Sequence, residues 1–344
     1  MGRGAIWHVA GGSEVLLPDK AIIGLRTGSV PSGWTAINPG RFIRCSTSAG
    51  TGGSYSLGTT GSGGGGNHGS ANGTRFTRDL GGSANHAIGS PINTRGNHTH
   101  TVDLSYKPSS GRLQLIKLSN PDGQLIPQNG VTFSAQSSLE GPTAHYSSLD
   151  GYHLWGTSSG SAVSGSSKSA SSRSASFSHI HHDVGQSSSG GGFGPDNQER
   201  PSGGPSHSHS CSASWSISIY AYVLKAFYET EEGQACPYQI ILFENGHDIP
   251  EGWAYCDGNN GTPNLHGRYI KMGTSIGATG NGTYSVSGSL SSAGSHNHNH
   301  SKAGNEWQRS YCHDNNVSHT HSYSKSGNYN PEYKEYRFLM RTPD

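Results

Sequence analysis

Five places in this 344-residue chain carry histidines two positions apart: His98 and His100, His179 and His181, His207 and His209, His296 and His298, and His319 and His321. Imidazole nitrogen suits iron, zinc, nickel or copper. On an extended backbone such a spacing sends both rings of a pair to the same side, because side chains alternate along a strand. One strand then supplies two ligands, too few for a closed site. Three copies around a threefold axis supply six and fill an octahedron. Closed ring symmetry is the ordinary way for identical subunits to complete a site of that kind. The chemistry this pattern predicts is structural metal binding in a shared interior.

The elements that must position these rings are strands. From Ser206 to Ser218 every even position is serine, and His207, His209, Cys211, Ala213, Trp215 and Ile217 stand between. A period of two means a β-strand with one hydroxyl face and one apolar face. The same phase recurs around the other pairs. Val102 and Leu104 follow the first, Ala175 and Phe177 precede the second, Val286 and Leu290 lead to the fourth, and Val317 and Tyr323 flank the fifth. In each case the histidines share the face that the apolar residues occupy, so they are predicted to point inward. Cys211, on that face, reads as a small buried filler. Lone buried histidines are usually hydrogen-bonded core residues, but that does not account for five pairs in one phase.

Longer segments repeat as well. IIGLRTGSVPSGWTAINPGRFIRC is echoed by IILFENGHDIPEGWAYCDGNNGTPNLHGRYIKM. Each runs from an apolar strand through Pro-x-Gly-Trp (Pro31 to Trp34, Pro250 to Trp253) to an Arg-aromatic-Ile-basic segment. Gly/Ser-rich sequence, histidine pairs and a closing aromatic strand, IYAYVLKAFY or EYKEYRFLMR, complete each unit. The expected layout is an N-terminal segment 1–19, a first module 20–229, a linker 230–237 and a second module 238–344. The first module carries an inserted β-subdomain at about 101–170, where GRLQLIKLSNPDGQLIPQNGVTFS reads as two strands around an Asn-Pro-Asp-Gly turn. Trp34 and Trp253 are expected as core anchors.

Composition narrows the class. Gly is 52 residues and hydrophobic residues are only 30% of the chain, which is too little for a large globular core but enough for a thin, extended one. Sixteen Tyr and six Trp argue against disorder. The formal net charge of +1, without a basic stripe, gives nucleic acid and anionic membranes no footprint. No apolar run is long enough to insert into a membrane. The opening MGRGAIWHVAGGSEVLLPDK lacks the apolar region of a secretory signal. Five cysteines, an odd number with no CxxC spacing, favour reduced thiols.

The Pro-x-Gly-Trp turn, TPNLHGRYIKM, the His-x-His pairs and the closing Tyr-rich strand resemble phage tail collar domains. The paired His-x-His strands are similar to the long tail fibre tips of T-even-like phages. The first module departs from that pattern by lacking the CDG…TPNL segment after Trp34. The resemblance implies an elongated all-β homotrimeric fibre in which three chains intertwine, with iron(II) ions on the axis, each held by six histidines. Zinc and nickel remain compatible with the ligands. It also implies a virion protein of the tail fibre that works with other tail proteins and attaches to a host cell-surface glycan or outer-membrane protein. A non-viral extracellular fibre or adhesin reusing the module is the alternative.

An enzyme is disfavoured. SHIHHD at 178–183 has the wrong order for a metallo-hydrolase site, HExxH is absent, and GxSxG lacks a strand-turn-helix setting. Receptor contact is expected from Trp307, Arg309 and Tyr311, between the last two histidine pairs, where aromatic rings give large contact area at low entropic cost.

Overall fold

The computed structural model describes residues 16–62, 76–78, 86–88, 100–119, 124–158, 162–173, 210–290 and 321–343. Among these the chain is all-β, with one 3-10 turn at Ser147–Leu149 and no α-helix. The strands fall into three successive sets with matching roles. The first set is β1 (Ala21–Leu25), β2 (Trp34–Ile37), β3 (Arg41–Cys45), β4 (Thr51–Gly52), β5 (Ser56–Ser62), the short pair β6 (Phe76–Arg78) and β7 (His86–Ile88), β8 (His100–Lys107) and β9 (Ser110–Leu118). The second is β10 (Gly130–Ser134), β11 (Thr143–His145), β12 (His153–Thr157), β13 (Ala162–Ser164), β14 (Ser167–Arg173), β15 (Cys211–Ser218) and β16 (Ala221–Glu229). The third is β17 (Ile240–Phe243), β18 (Trp253–Tyr255), β19 (Tyr269–Met272), β20 (Gly277–Thr279), β21 (Thr283–Leu290), β22 (His321–Asn328) and β23 (Tyr333–Arg341).

The pairings confirm that these are three repeats. Each closing strand runs antiparallel to the first and second strands of its own set: β9 with β1 and β2, β16 with β10 and β11, β23 with β17 and β18. Its other edge takes the third strand of the next set in parallel, β9 with β12 and β16 with β19. The cycle then closes, because β23 takes β3 of the first set. The three opening strands also meet one another: Gly24 faces Val131, Ile22 faces Leu242, and Phe133 faces Ile240. So do the third strands, where Trp155 faces Phe42, His153 faces Lys271 and Tyr269 faces Arg44. One chain thus builds a body with pseudo-threefold symmetry.

Local sequence explains the opening strands. AIIGL, GVTFS and IILF are short runs buried at every position, as expected for strands covered on both faces. Gly24 permits a close approach, since a Cβ there would collide with Leu113 Cδ2. In the first and third repeats a tight turn follows. Trp34 N donates to Pro31 O and Trp253 N to Pro250 O, both at 3.2 Å, with Gly33 and Gly252 at φ +82° and +77°. Those angles define a turn that requires glycine at its third position. Both tryptophans are buried, as expected of core anchors.

The two-module layout is corrected by this topology. Residues of the expected inserted subdomain, 101–170, are not an insertion. β8 and β9 complete the first repeat, and β10 to β14 begin a second of equal standing. The two strands read around Asn-Pro-Asp-Gly exist, but β9 pairs with β1, β2, β12 and β13, and β10 pairs with β1, β16 and β17. They belong to different repeats.

Each closing strand is nine residues long and ends at Leu118, Glu229 or Arg341. Glu229 therefore sits where the first repeat has a buried leucine, and it is itself 1% exposed. Gln239 Nε2 donates to Glu229 Oε1 at 2.8 Å and to Thr132 Oγ1 at 2.7 Å. Burial pushes the Glu229 carboxyl up to about 7 against the help of Gln239. A raised folded-state value means that the neutral acid stabilises the fold below the unfolded pKa of 4.5 and that this is lost as pH rises through about 7. Glu229→Gln is predicted to melt above the parent at pH 8, by a free energy on the order of 3 kcal/mol at most. The two should converge near pH 4.5, and thermal melts across that range check it. A parent whose stability does not fall from pH 5 to 8 contradicts the assignment.

Candidate metal centre

Between the third and closing strands each repeat sends out two long strands. In chain order they are β5 and β8, β14 and β15, β21 and β22. Antiparallel ladders join β5 to β8, β8 to β14, β15 to β21 and β21 to β22. The remaining neighbours, β22 with β5 and β14 with β15, lie side by side without a ladder among the described residues. Side chains bridge the first of these seams: Thr60 Oγ1 donates to Ser324 O at 3.2 Å, and Lys325 Nζ to Thr59 O at 2.8 Å. The result is a six-stranded tube with two walls from each repeat.

The period of two decides what faces inward. Along β15, Ser212, Ser214 and Ser216 are exposed, while Cys211, Ala213, Trp215 and Ile217 pack against the tube core. Val102, Leu104, Tyr284, Val286, Leu290 and Tyr323 fill that core. The inward face predicted from alternation is the one observed. Phe42, His153 and Tyr269 close its floor as equivalents, since they face Tyr333, Ser110 and Ala221, the first residues of the three closing strands.

His100 and His321 lie at the far end of the described tube. Both are fully buried, and their rings meet edge to face with centroids 4.9 Å apart and planes at 74°. His100 opens β8 of the first repeat, and His321 opens β22 of the third. Leu290 faces His321 on one side and Cys211 on the other, which puts Cys211 at the corresponding place in the second repeat. Its thiol turns away, donating to Tyr323 Oη at 3.5 Å, and Tyr323 Oη donates in turn to Ser212 O at 2.7 Å. Cys211 is half-buried at this level of the tube and packs against its core. Among the described residues no three His, Cys, Asp or Glu side chains converge as a metal cluster. The nitrogen donors of His100 and His321 fit a transition metal and not an oxygen-seeking ion such as calcium or magnesium.

Two of the ten histidines singled out by spacing are therefore brought together from distant sequence. His98, His179, His181, His207, His209, His296, His298 and His319 lie outside the described residues, as do Trp307, Arg309 and Tyr311. Sequence reasoning passed over His153, whose only signal is its equivalence to two aromatic residues. The chain matches no family model, no curated protein and no solved structure.

His153 packs edge-on against Phe42, with ring centroids 6.2 Å apart, and its Nδ1 is enclosed without a hydrogen-bond partner among the described residues. Burial lowers its pKa from 6.5 to about 4, Lys271 adds to the effect, and the Ser109 backbone opposes it. A lowered value for a histidine means that stability is intact above 6.5 and is lost as pH falls toward 4. His153→Phe, which copies Phe42, is predicted to flatten that decline. Near pH 4 the metal-free variant should melt roughly several degrees above the parent, and near pH 8 the two should agree. Parallel melting curves for parent and variant across pH 4–8 would show that His153 does not titrate in this setting.

Proposed function

We propose that the protein is the host-attachment part of a phage tail fibre, whose tube is stapled by transition-metal ions bound to inward imidazoles. The observation that carries this reading is the His100–His321 contact, two fully buried rings delivered to one point by different repeats. Both rings are fully buried beside an apolar cluster that includes Val102, Leu290 and Tyr323, a setting in which two nitrogen donors can hold a shared cation. The histidine pairs at 98, 179 and 181, 207 and 209, 296 and 298, and 319 extend the same chemistry along the sequence of each hairpin. Iron(II) is the first candidate, and zinc or nickel suits the same donors.

The rest of the chain supports an attachment role. Its body is an apolar core under a tube whose outer face is rich in serine, a form compatible with presenting a tip away from that body. Trp307, Arg309 and Tyr311 stand in the segment that joins β21 to β22. They are the proposed contacts to a host glycan or outer-membrane protein, with the virion as the setting.

Metal that binds only the folded chain adds stability through linkage. Elemental analysis is expected to find a first-row transition metal, and chelation under mild denaturant should lower the melting temperature. His321→Leu should weaken metal binding at least tenfold, about 1.4 kcal/mol, with the metal-free variant melting near the metal-free parent. Purified protein that carries no metal, takes up none of iron, zinc or nickel, and melts identically with chelator refutes the staple. Trp307→Ala with Tyr311→Ala should cut cell adsorption at least tenfold at an unchanged melting temperature. Unchanged adsorption removes those residues from the receptor site.

A further inference from the structure

We infer that one chain is the complete threefold unit, so that its metal-facing interior is assembled from three internal repeats and needs no second or third copy. The sequence predicts a homotrimer because one strand brings too few ligands. The fold meets that need inside the chain. Had the repeats been made to intertwine with other copies, the last exchange position would stay open: β23 would offer its free edge outward and β3 would lack a parallel neighbour. Instead Phe42 to Cys45 face Tyr333 to Tyr336, which joins the third repeat back to the first. Thr51 and Gly52 of β4 extend the same junction against Lys334 and Tyr333.

Among the described residues, other places where copies would meet are also occupied from within. The opening strands form a closed triangle, and the third strands form another. The tube receives its walls in cyclic order from repeats one, two and three. Ionic contacts follow the same junction: Arg44 Nη2 lies 3.2 Å from Glu335 Oε1, again first repeat to third. His100 and His321 are the consequence at the site, because these rings come from the first and third repeats of one chain.

Divergence among the repeats points the same way. In a homotrimer each axial level carries one residue type three times. Here one level carries His100, Cys211 and His321, and the floor carries Phe42, His153 and Tyr269. Such mixed rings are available only to repeats encoded separately. The inference deepens the metal-staple reading and rests on it for the ligands, though not for the topology.

The test uses the full chain, as purified and after chelation, with solution mass by light scattering and metal content measured on the same samples. One chain of 36.1 kDa is expected across the concentration range, with metal in whole numbers per chain. Co-expression of two differently tagged copies should give no mixed species on affinity capture. A mass of three chains, or mixed species that survive capture, overturns the inference and leaves the metal reading standing. A single chain without metal does the reverse, upholding the inference while the staple fails.

Discussion

A strand has two hydrogen-bonding edges, and an edge left open is both costly and sticky. The three closing strands are where this chain resolves that constraint. β9, β16 and β23 each give one edge to their own repeat and the other to the next. No repeat can satisfy its backbone alone, and two together would still leave one edge open. Only the third closes the circle. The apolar clusters follow from this arrangement, since the core that gathers Ile43, Leu154 and Ile270 draws on the third strand of every repeat. With so little apolar material, sharing one core among three repeats is what makes a folded body possible.

Much of the local structure was legible because it depends on periods and turns. Alternation from Cys211 to Ser218 announces both the strand and its inward face. Pro31 to Trp34 and Pro250 to Trp253 announce a turn through one glycine each. The second repeat was not legible as a repeat because it has no such turn and no basic strand after it. At its third strand HLWGT stands where RFIRC and YIKM stand in the others. What it retains is burial: Leu154 takes the place of Ile43 and Ile270. Parallel exchange between Tyr269 and Ala221, or between Phe42 and Tyr333, leaves no local mark. Those partners are set by the body as a whole.

The candidate site was legible in type and illegible in partnership. Inward-facing imidazoles follow from phase alone. That His100 should meet His321, and not a neighbour on its own strand, follows from the circular order of the tube walls. Residues without any motif became visible only through equivalence. His153 gains its meaning from Phe42 and Tyr269, and Glu229 from Leu118. Both are polar groups placed where another repeat keeps an apolar one, and both sit in the second repeat. Divergence there has been tolerated in chemistry while the backbone pairing was held.

The junction between β3 and β23 also governs how the protein is made. Phe42 is translated long before its partner Tyr333, so the ribosome releases a strand whose mate does not yet exist. Pairings this distant in sequence slow folding, since the intervening chain must be closed into a loop first. Until the last described strand emerges, β3 and the apolar face of the first repeat stay available to neighbouring nascent chains on the same message. Synthesis rate and chaperone supply therefore bear on yield alongside the stability of the finished body.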